Sequence, residues 1–168
     1  MKIAIIVPME EEAEFYKKHF KSENKEVFGT TEFDHFSVNG NDIYLGLSGI
    51  GKVNAAMNLT SLLTKEDIDL IFMTGSAGSL QEDVKRKDLI LPNKFMYYDA
   101  HNTSAGNYVE GQIPQEPAGY TLDNSFRTKF AAYLKEHDIP FKEGLIVTGD
   151  SFIASEAQKD EIKKNFSD

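Results

Sequence analysis

Three apolar runs in this 168-residue chain each lead into a turn rich in glycine and small hydroxyl residues. The runs and their turns are residues 43–47 and 48–51, 70–73 and 74–79, and 145–147 and 148–151. A buried strand that ends in such a turn is typical of an open α/β sheet, where ligands bind beyond the carboxyl ends of the strands. Glycine lets backbone N–H groups approach a ligand, and Ser and Thr add short hydrogen-bonding groups. The pattern predicts a ligand site at residues 74–79, with a plain strand-to-helix turn as the structural alternative.

The order of strand and helix patterns predicts one mixed α/β domain over residues 1–168. A strand at residues 3–7 precedes an acidic helix that extends to Phe20, and a hairpin follows in which Asn39-Gly40 joins two alternating stretches. Further strands are predicted from Leu89 and at 145–147, and further helices at 124–137 and 156–166, the last with Ser155 as its N-cap.

The segment after the turn at residues 48–51 predicts a helix over Lys52–Leu63. This helix would carry one apolar face, made of Val53, Ala56, Met57, Thr60 and Leu63. As a purely structural alternative, the preceding turn is helix entry with Ser48 near the cap. Residues 99–121 are rich in Gly, Pro, Asn and Ser without periodicity, which predicts a long loop of the kind that forms lids or interface segments.

Composition argues against several classes of function. The formal net charge is -9 and the only arginines are Arg86 and Arg127, so we expect no nucleic-acid partner. There is no cysteine, which rules out disulfides and thiolate metal sites, and the four histidines lack metal-ligand spacing. The apolar run at residues 3–7 is too short for a signal peptide or a membrane span, so we expect a cytoplasmic protein without a membrane partner.

Glu10, Glu11 and Glu12 form an acidic cluster just after the first predicted strand. Acidic residues in the first turn of a helix are stabilised by the helix dipole, and this accounts for two of the three. A carboxylate at the end of the first strand can instead face a ligand cleft and act as a general base. Glu12 is the candidate for that role.

Four segments resemble the 5'-methylthioadenosine/S-adenosylhomocysteine nucleosidase family, and the similarity extends over the whole chain. They are residues 1–12 (MKIAIIVPMEEE), 48–53 (SGIGKV), 74–78 (TGSAG) and 148–153 (TGDSFI). The resemblance implies a nucleoside-phosphorylase-like mixed central sheet flanked by helices. It also implies hydrolysis of the N-ribosidic bond of 5'-methylthioadenosine and S-adenosylhomocysteine, with release of adenine and the thioribose, in methionine salvage and activated-methyl recycling. No cofactor and no metal are implied.

The resemblance also assigns roles to individual residues. Glu12 is similar to the carboxylate that activates the attacking water, which suits a reaction with an oxocarbenium-like transition state. Phe152 resembles the aromatic residue that stacks on adenine, and the backbone of Ile153 the group that reads the edge of the base. The residues that line the ribose and alkylthio part of the pocket would be Met9, Ile50, Ser76, Ala77 and Gly78. A homodimer is implied, in which Pro114 of the long loop borders the neighbour's alkylthio pocket.

The chain also departs from the family pattern. The family's purine-protonating Asp and its ribose-binding Glu have no counterpart in the 168 residues, so the resemblance implies a chain without the last strand and helix. Asp150 is not that acid by position, and we expect it to be a turn residue. His101 stands where the family more often has Asp, and Ala105 where some members have an aromatic residue.

Two alternatives to the nucleosidase remain open. A purine nucleoside phosphorylase of the same superfamily would need phosphate-binding arginines near the first and third strand ends, where this chain has none. A phosphate dianion beside Glu12 would also be repelled. The second alternative is a catalytically inactive nucleoside-binding fragment.

Overall fold

The computed structural model describes residues 1–122 and 124–166. The chain divides into two compact units, a first unit of Met1–Ala77 and a second unit of Gly78–Asp168. The single domain over residues 1–168 stays a prediction; Asp123, Ser167 and Asp168, which it includes, lie outside the described residues.

The first unit is a five-stranded mixed sheet with two helices. Its elements are β1 (Lys2–Val7), α1 (Glu10–His19), β2 (Asn24–Phe28), β3 (Thr31–Val38), β4 (Asn41–Leu47), α2 (Lys52–Leu63) and β5 (Leu70–Met73). The strand order is β2-β3-β4-β1-β5, and β1 pairs in parallel with both β4 and β5. The predicted hairpin is confirmed as the antiparallel pair β3 and β4.

Strand β1 contributes to two hydrophobic clusters, one on each face of the sheet. Ala4 and Ile6 pack in a cluster with Leu62 of α2, whereas Ile5 and Val7 pack in a cluster with Ala13 of α1. Successive side chains of a strand point to opposite faces, so a strand covered on both faces is apolar throughout. The uninterrupted apolar run at residues 3–7 has this cause.

The carboxyl ends of β1, β4 and β5 lie at one edge of the first sheet. Ile6 is in register with Gly46 on one side and with Met73 on the other. The Ser48 N–H then donates to the Val7 carbonyl (2.9 Å), and the Thr74 N–H donates to the Ile6 carbonyl (3.2 Å). The prediction that several strand ends converge is confirmed for these three strands.

The interpretation of residues 70–73 as a buried strand is wrong. Strand β5 is not fully buried, because it pairs with β1 alone among the described strands and its alternate residues Ile71 and Met73 face outward. The apolar face of α2 is also exposed, with Val53 at 74% and Met57 at 47% exposure. The opposite face, through Leu62, packs against the sheet.

Two further details differ from the sequence analysis. Strand β2 was not predicted, because three of its five residues are polar or charged and it has no clear alternation. Ser48 is not near the cap of α2: the N-cap is Gly51, and Ser48 is buried directly after β4.

The second unit contains a three-stranded sheet and two helices. Its elements are β6 (Leu89–Tyr97), a 3-10 turn (Thr103–Ala105), β7 (Tyr120–Thr121), α3 (Ser125–Glu136), β8 (Phe141–Thr148) and α4 (Glu156–Asn165). The order is β7-β6-β8, with β6 and β8 parallel and Tyr97 in register with Thr148. The Ser155 hydroxyl accepts from the Gln158 N–H at the start of α4, so its predicted N-cap role is confirmed.

The predicted long loop is present between β6 and β7, and it contains the 3-10 turn. It ends slightly earlier than predicted, because Tyr120 and Thr121 pair with β6. In the part of the chain that the structure describes, no helix is long and apolar enough to cross a membrane.

Candidate active site

Glu12 is the best-defined functional side chain at the strand-end edge of the first unit. It occupies the third position of α1, and its Oε2 accepts from the backbone N–H of Met9, the N-cap residue (3.3 Å). Its Oε1 accepts from both the N–H (2.7 Å) and the hydroxyl (2.8 Å) of Ser76. All three partners donate their hydrogen bonds, and the two carboxylate oxygens of Glu12 accept them.

Gly75 makes room for this contact. A Cβ atom at that position would lie 3.1 Å from Glu12 Oε1 and 3.2 Å from Oε2. A side chain would therefore push the carboxylate away from the turn after β5. The sequence indicated that glycine was needed for close approach here, but not that the approaching group is a side chain of α1.

Two asparagine side chains of α2 hydrogen-bond to the turn at residues 48–51. The Asn58 side chain donates to the Ser48 carbonyl (2.6 Å) and accepts from the Thr31 hydroxyl, and the Asn54 side chain donates to the Ile50 carbonyl (2.8 Å). Ile50 is 73% exposed. Asn54 and Asn58 were not identified from the sequence, since asparagine within a helix carries no distinct signal for a contact outside it.

In the second unit, the ends of β6 and β8 are joined through a tyrosine. Tyr98 and Ser151 make two contacts: the phenol hydroxyl donates to the Ser151 carbonyl and accepts from the Ser151 N–H (3.1 Å). The Asp150 N–H donates to Asp99 Oδ2 (3.0 Å), in keeping with the predicted turn role of Asp150. Neither Tyr98 nor Asp99 was predicted to hold this turn.

Phe152 and Ile153 follow the turn directly. Phe152 is 91% exposed and is therefore not a core residue. Ile153 is half-buried and lines a cavity of about 180 Å³ within the second unit. Tyr98, Asp99 and Ser151 line the same cavity.

Pro114 lies in the long loop and is exposed. The loop is tied to itself: the Asn102 side chain donates to the Gln112 carbonyl (2.8 Å), and the Gln112 side chain donates to the Glu116 carbonyl (2.8 Å). His101 pairs with the Glu110 carboxylate inside the same loop. These contacts give the segment around Pro114 a defined local shape.

The predicted residues therefore fall into two groups. The structure brings Met9, Glu12 and Ser76 into direct contact in the first unit, where Ile50 and Ala77 also lie. Gly78, Pro114, Phe152 and Ile153 belong to the second unit. Across residues 1–122 and 124–166, no group of three or more His, Asp or Glu side chains is placed to hold a metal ion.

The fold and the Glu12 site define a mixed α/β protein with a carboxylate at converging strand ends. The family model of the phosphorylase superfamily matches residues 2–168. A 5'-methylthioadenosine/S-adenosylhomocysteine nucleosidase of Staphylococcus epidermidis is 38% identical over 98% of this chain and 72% of its own length. The chain belongs to the phosphorylase superfamily and, within it, to the 5'-methylthioadenosine/S-adenosylhomocysteine nucleosidase family.

Solved structures of similar proteins agree with this assignment and with the predicted fold class. An S-adenosylhomocysteine nucleosidase from Streptococcus pyogenes, in complex with 5-methylthiotubericidin, superposes with a TM-score of 0.91 at 32% identity, covering 99% of this chain and 70% of that one. A nucleosidase from Neisseria meningitidis, in complex with methylthio-immucillin-A, also gives a TM-score of 0.91, at 31% identity, covering 99% of this chain and 72% of that one.

Proposed function

We propose that this chain hydrolyses the N-ribosidic bond of 5'-methylthioadenosine and S-adenosylhomocysteine, releasing adenine and the thioribose, as a step of methionine salvage. The observation that carries the proposal is the Glu12 carboxylate, held by three donors at the converging ends of β1 and β5. The chain also belongs to a family whose members are named for this activity. The proposed mechanism uses neither a metal nor a cofactor.

Glu12 acts as the general base. Departure of adenine from C1' carries the C1'–N9 bonding pair to the purine, which takes a proton from solvent water, and leaves an oxocarbenium-like sugar. A second water attacks that carbon as its proton passes to the Glu12 carboxylate. The N–H and hydroxyl of Ser76 both bind Oε1 and so fix the direction in which the carboxylate presents its remaining lone pairs. A base fixed in this way is already oriented when substrate binds.

We assign substrate-binding roles to the remaining predicted residues. Met9, Ile50, Ser76, Ala77 and Gly78 line the ribose and alkylthio part, and the exposure of Ile50 and Ser76 supports this assignment. Phe152 stacks on the adenine ring, a role for which its 91% exposure leaves the ring face open.

The Ile153 backbone reads the edge of the base. Adenine presents an acceptor at N1 beside a donor at its 6-amino group, and a backbone N–H and C=O complement that pair. A 6-oxopurine reverses the pattern and leaves both backbone groups unpaired, at a cost in binding. We therefore expect 5'-methylthioinosine to be a poor substrate.

Phosphorolysis is the competing reaction, and the first unit does not favour it. Residues 1–77 contain no arginine, so no guanidinium of that unit can clamp a phosphate beside Glu12. In the second unit, Arg127 is engaged with the Pro92 carbonyl (2.9 Å) and with Glu143 (2.9 Å).

The experiment is adenine release from 5'-methylthioadenosine in phosphate-free buffer, repeated with added phosphate. We expect release without phosphate and no acceleration with it. Release that requires phosphate would make the chain a phosphorylase. If no adenine forms while adenine raises the melting temperature, the chain is an inactive nucleoside-binding fragment.

We also propose that the protein is a homodimer that uses the exposed face of α2. This face holds Val53, Met57 and Leu63 and no charged side chain, so a second copy can cover it without burying a charge. In such an assembly Pro114 would border the neighbour's alkylthio pocket. Met57→Lys should give a monomer by light scattering at micromolar concentration, whereas Phe15→Lys, which alters an exposed residue of α1, should remain dimeric.

A cytoplasmic location completes the proposal. It rests on the sequence-based expectation and on the role of the reaction in methionine salvage. Fractionation of cells that express the tagged chain tests it, and recovery with the membrane or secreted fraction would contradict it.

A further inference from the structure

The segment that carries Phe152 and Ile153 is fastened immediately before these residues. The Tyr98 hydroxyl bonds to both backbone groups of Ser151, and Asp99 accepts from the Asp150 N–H (3.0 Å). Tyr98 itself is anchored at the end of β6, where its N–H donates to the Thr148 carbonyl (2.9 Å). Two adjacent side chains that directly follow β6 therefore fix the turn after the neighbouring strand β8.

Gly149 shows how closely Tyr98 is seated. A Cβ atom on Gly149 would lie 2.5 Å from Cζ of Tyr98 and 2.9 Å from Cγ of Asp99. Real Cβ atoms do not approach so closely, so any other residue at position 149 would displace the Tyr98 ring or the turn. The absence of a side chain at Gly149 therefore allows the Tyr98 ring to lie against the turn.

The same segment is fastened again immediately after Ile153. The Gln158 side chain of α4 accepts from the N–H groups of both Ala154 and Ser155 (each 3.1 Å). Between the two anchor points, the backbone groups of Phe152 and Ile153 make no hydrogen bond to any other described residue. The segment is thus held at both ends and open in the middle.

We propose that Tyr98 is a positioning residue for purine recognition: through Ser151 it holds the Phe152 ring and the Ile153 backbone in the geometry that receives the base. The inference rests on the proposed function and deepens it. Tyr98 does not contact the base. It lowers the entropic cost of binding because the segment is ordered before the substrate arrives.

This role predicts which kinetic constant changes. The base contacts Phe152 and Ile153 in the ground state as well as in the transition state, so loosening them weakens both equally. Uniform weakening raises KM and leaves kcat nearly unchanged. A residue that only supports the fold would lower the melting temperature without this selective change.

The test is Tyr98→Phe, which keeps the ring and removes both hydroxyl contacts. We expect KM for 5'-methylthioadenosine to rise about tenfold, with kcat within about threefold of the parent. Gly149→Ala displaces the same ring and should change KM in the same direction. Tyr133→Phe is the matched control, because Tyr133 is a half-exposed residue of α3 that stacks on His137, and its KM should equal the parent's.

Hydrogen exchange of residues 149–153 provides a measurement that needs no activity. Tyr98→Phe should exchange faster there than the parent and Tyr133→Phe, because the Ser151 N–H loses its acceptor. Unchanged exchange would overturn the proposal, and so would faster exchange with an unchanged KM. If the parent releases no adenine, the proposed function fails by itself, and the Tyr98 proposal is then decided by exchange and by adenine affinity, which must fall in Tyr98→Phe.

Discussion

The turn after β5 and the turn after β8 use their hydrogen bonds in opposite ways. Ser76, after β5, gives both its N–H and its hydroxyl to the Glu12 carboxylate. The backbone N–H and carbonyl of Ser151, after β8, both hydrogen-bond to the Tyr98 hydroxyl. The backbone groups of the next two residues make no hydrogen bond to another described residue. The first turn orients a charged side chain, whereas the second is itself oriented and leaves an aromatic ring 91% exposed.

The difference reflects what each region is proposed to do. A general base acts through one atom, so its direction must be fixed by donors of known geometry. Stacking acts through area and needs a ring face that the protein does not cover. Substitutions in the first turn should therefore change kcat, and substitutions around the second should change KM.

The largest effect should come from Glu12→Gln. The amide keeps the shape but accepts no proton, so we expect kcat for adenine release to fall by about a factor of 10³ with KM little changed. Glu11→Gln, one residue earlier in α1 and exposed, should keep parental activity. A Glu12→Gln enzyme with near-parental kcat would remove the proposed contrast between the two turns.

The next largest effect should come from Phe152→Ala. Loss of stacking on a base costs about 1–3 kcal/mol, so KM should rise by a factor of about 5 to about 150. The melting temperature should not change, because the ring is 91% exposed. Phe15→Ala, which removes a ring 60% exposed on α1, is the control and should leave KM unchanged. A fall in kcat alone would contradict a binding role for Phe152.

Much of the fold was predictable because its signals are local. Asn39 and Gly40 both have positive φ (50° and 76°), as the two-residue hairpin turn requires, and their dipeptide is visible in the sequence. The apolar run of β1 and the cap at Ser155 are local signals of the same kind. Glu12 also lies where its carboxylate was expected, at the end of the first strand.

The remainder depended on contacts between distant residues. Glu12 and Ser76 are 64 positions apart, and Tyr98 and Ser151 are 53 apart, so only the strand register brings each pair together. The exposure of side chains could not be predicted either. An apolar face on α2 has the same sequence pattern whether it packs on the sheet or faces outward. Phe152 posed the same ambiguity, since core and binding aromatics share one residue type.

Gly75→Ala tests the role of the first turn, because it displaces the Glu12 carboxylate without altering its chemistry. The added Cβ would lie 3.1 Å from Glu12 Oε1, so the carboxylate must shift by a few tenths of an ångström. We expect kcat to fall about threefold to tenfold, because a misplaced base reacts less well. Gly144→Ala, whose Cβ would meet nothing within 4 Å, is the control. A rise in KM with kcat preserved would mean that the turn binds substrate rather than orienting the base.

The smallest effect should come from the opposite end of β1, where Lys2 pairs with Glu66 (2.7 Å). The hydrogen bond and charge of Lys2 lower the pKa of Glu66, and Glu66 in turn raises the pKa of Lys2. A lowered carboxyl pKa gives stability that is lost as pH falls through it, and a raised ammonium pKa gives stability that is lost as pH rises through it. The pair therefore stabilises the fold between about pH 5 and 10.

Lys2→Met should lower the melting temperature by about 1–2 °C at pH 7, since this pair is partly exposed, and by less at pH 3. Lys21→Met, at an exposed position, should melt like the parent at both pH values. Neither variant should change kcat or KM, because Lys2 lies at the edge of the sheet away from Glu12. If Lys2→Met lost activity and Lys21→Met did not, catalysis would depend on the far end of β1 as well as on the two turns. The contrast between the two turns would then be insufficient to explain the activity.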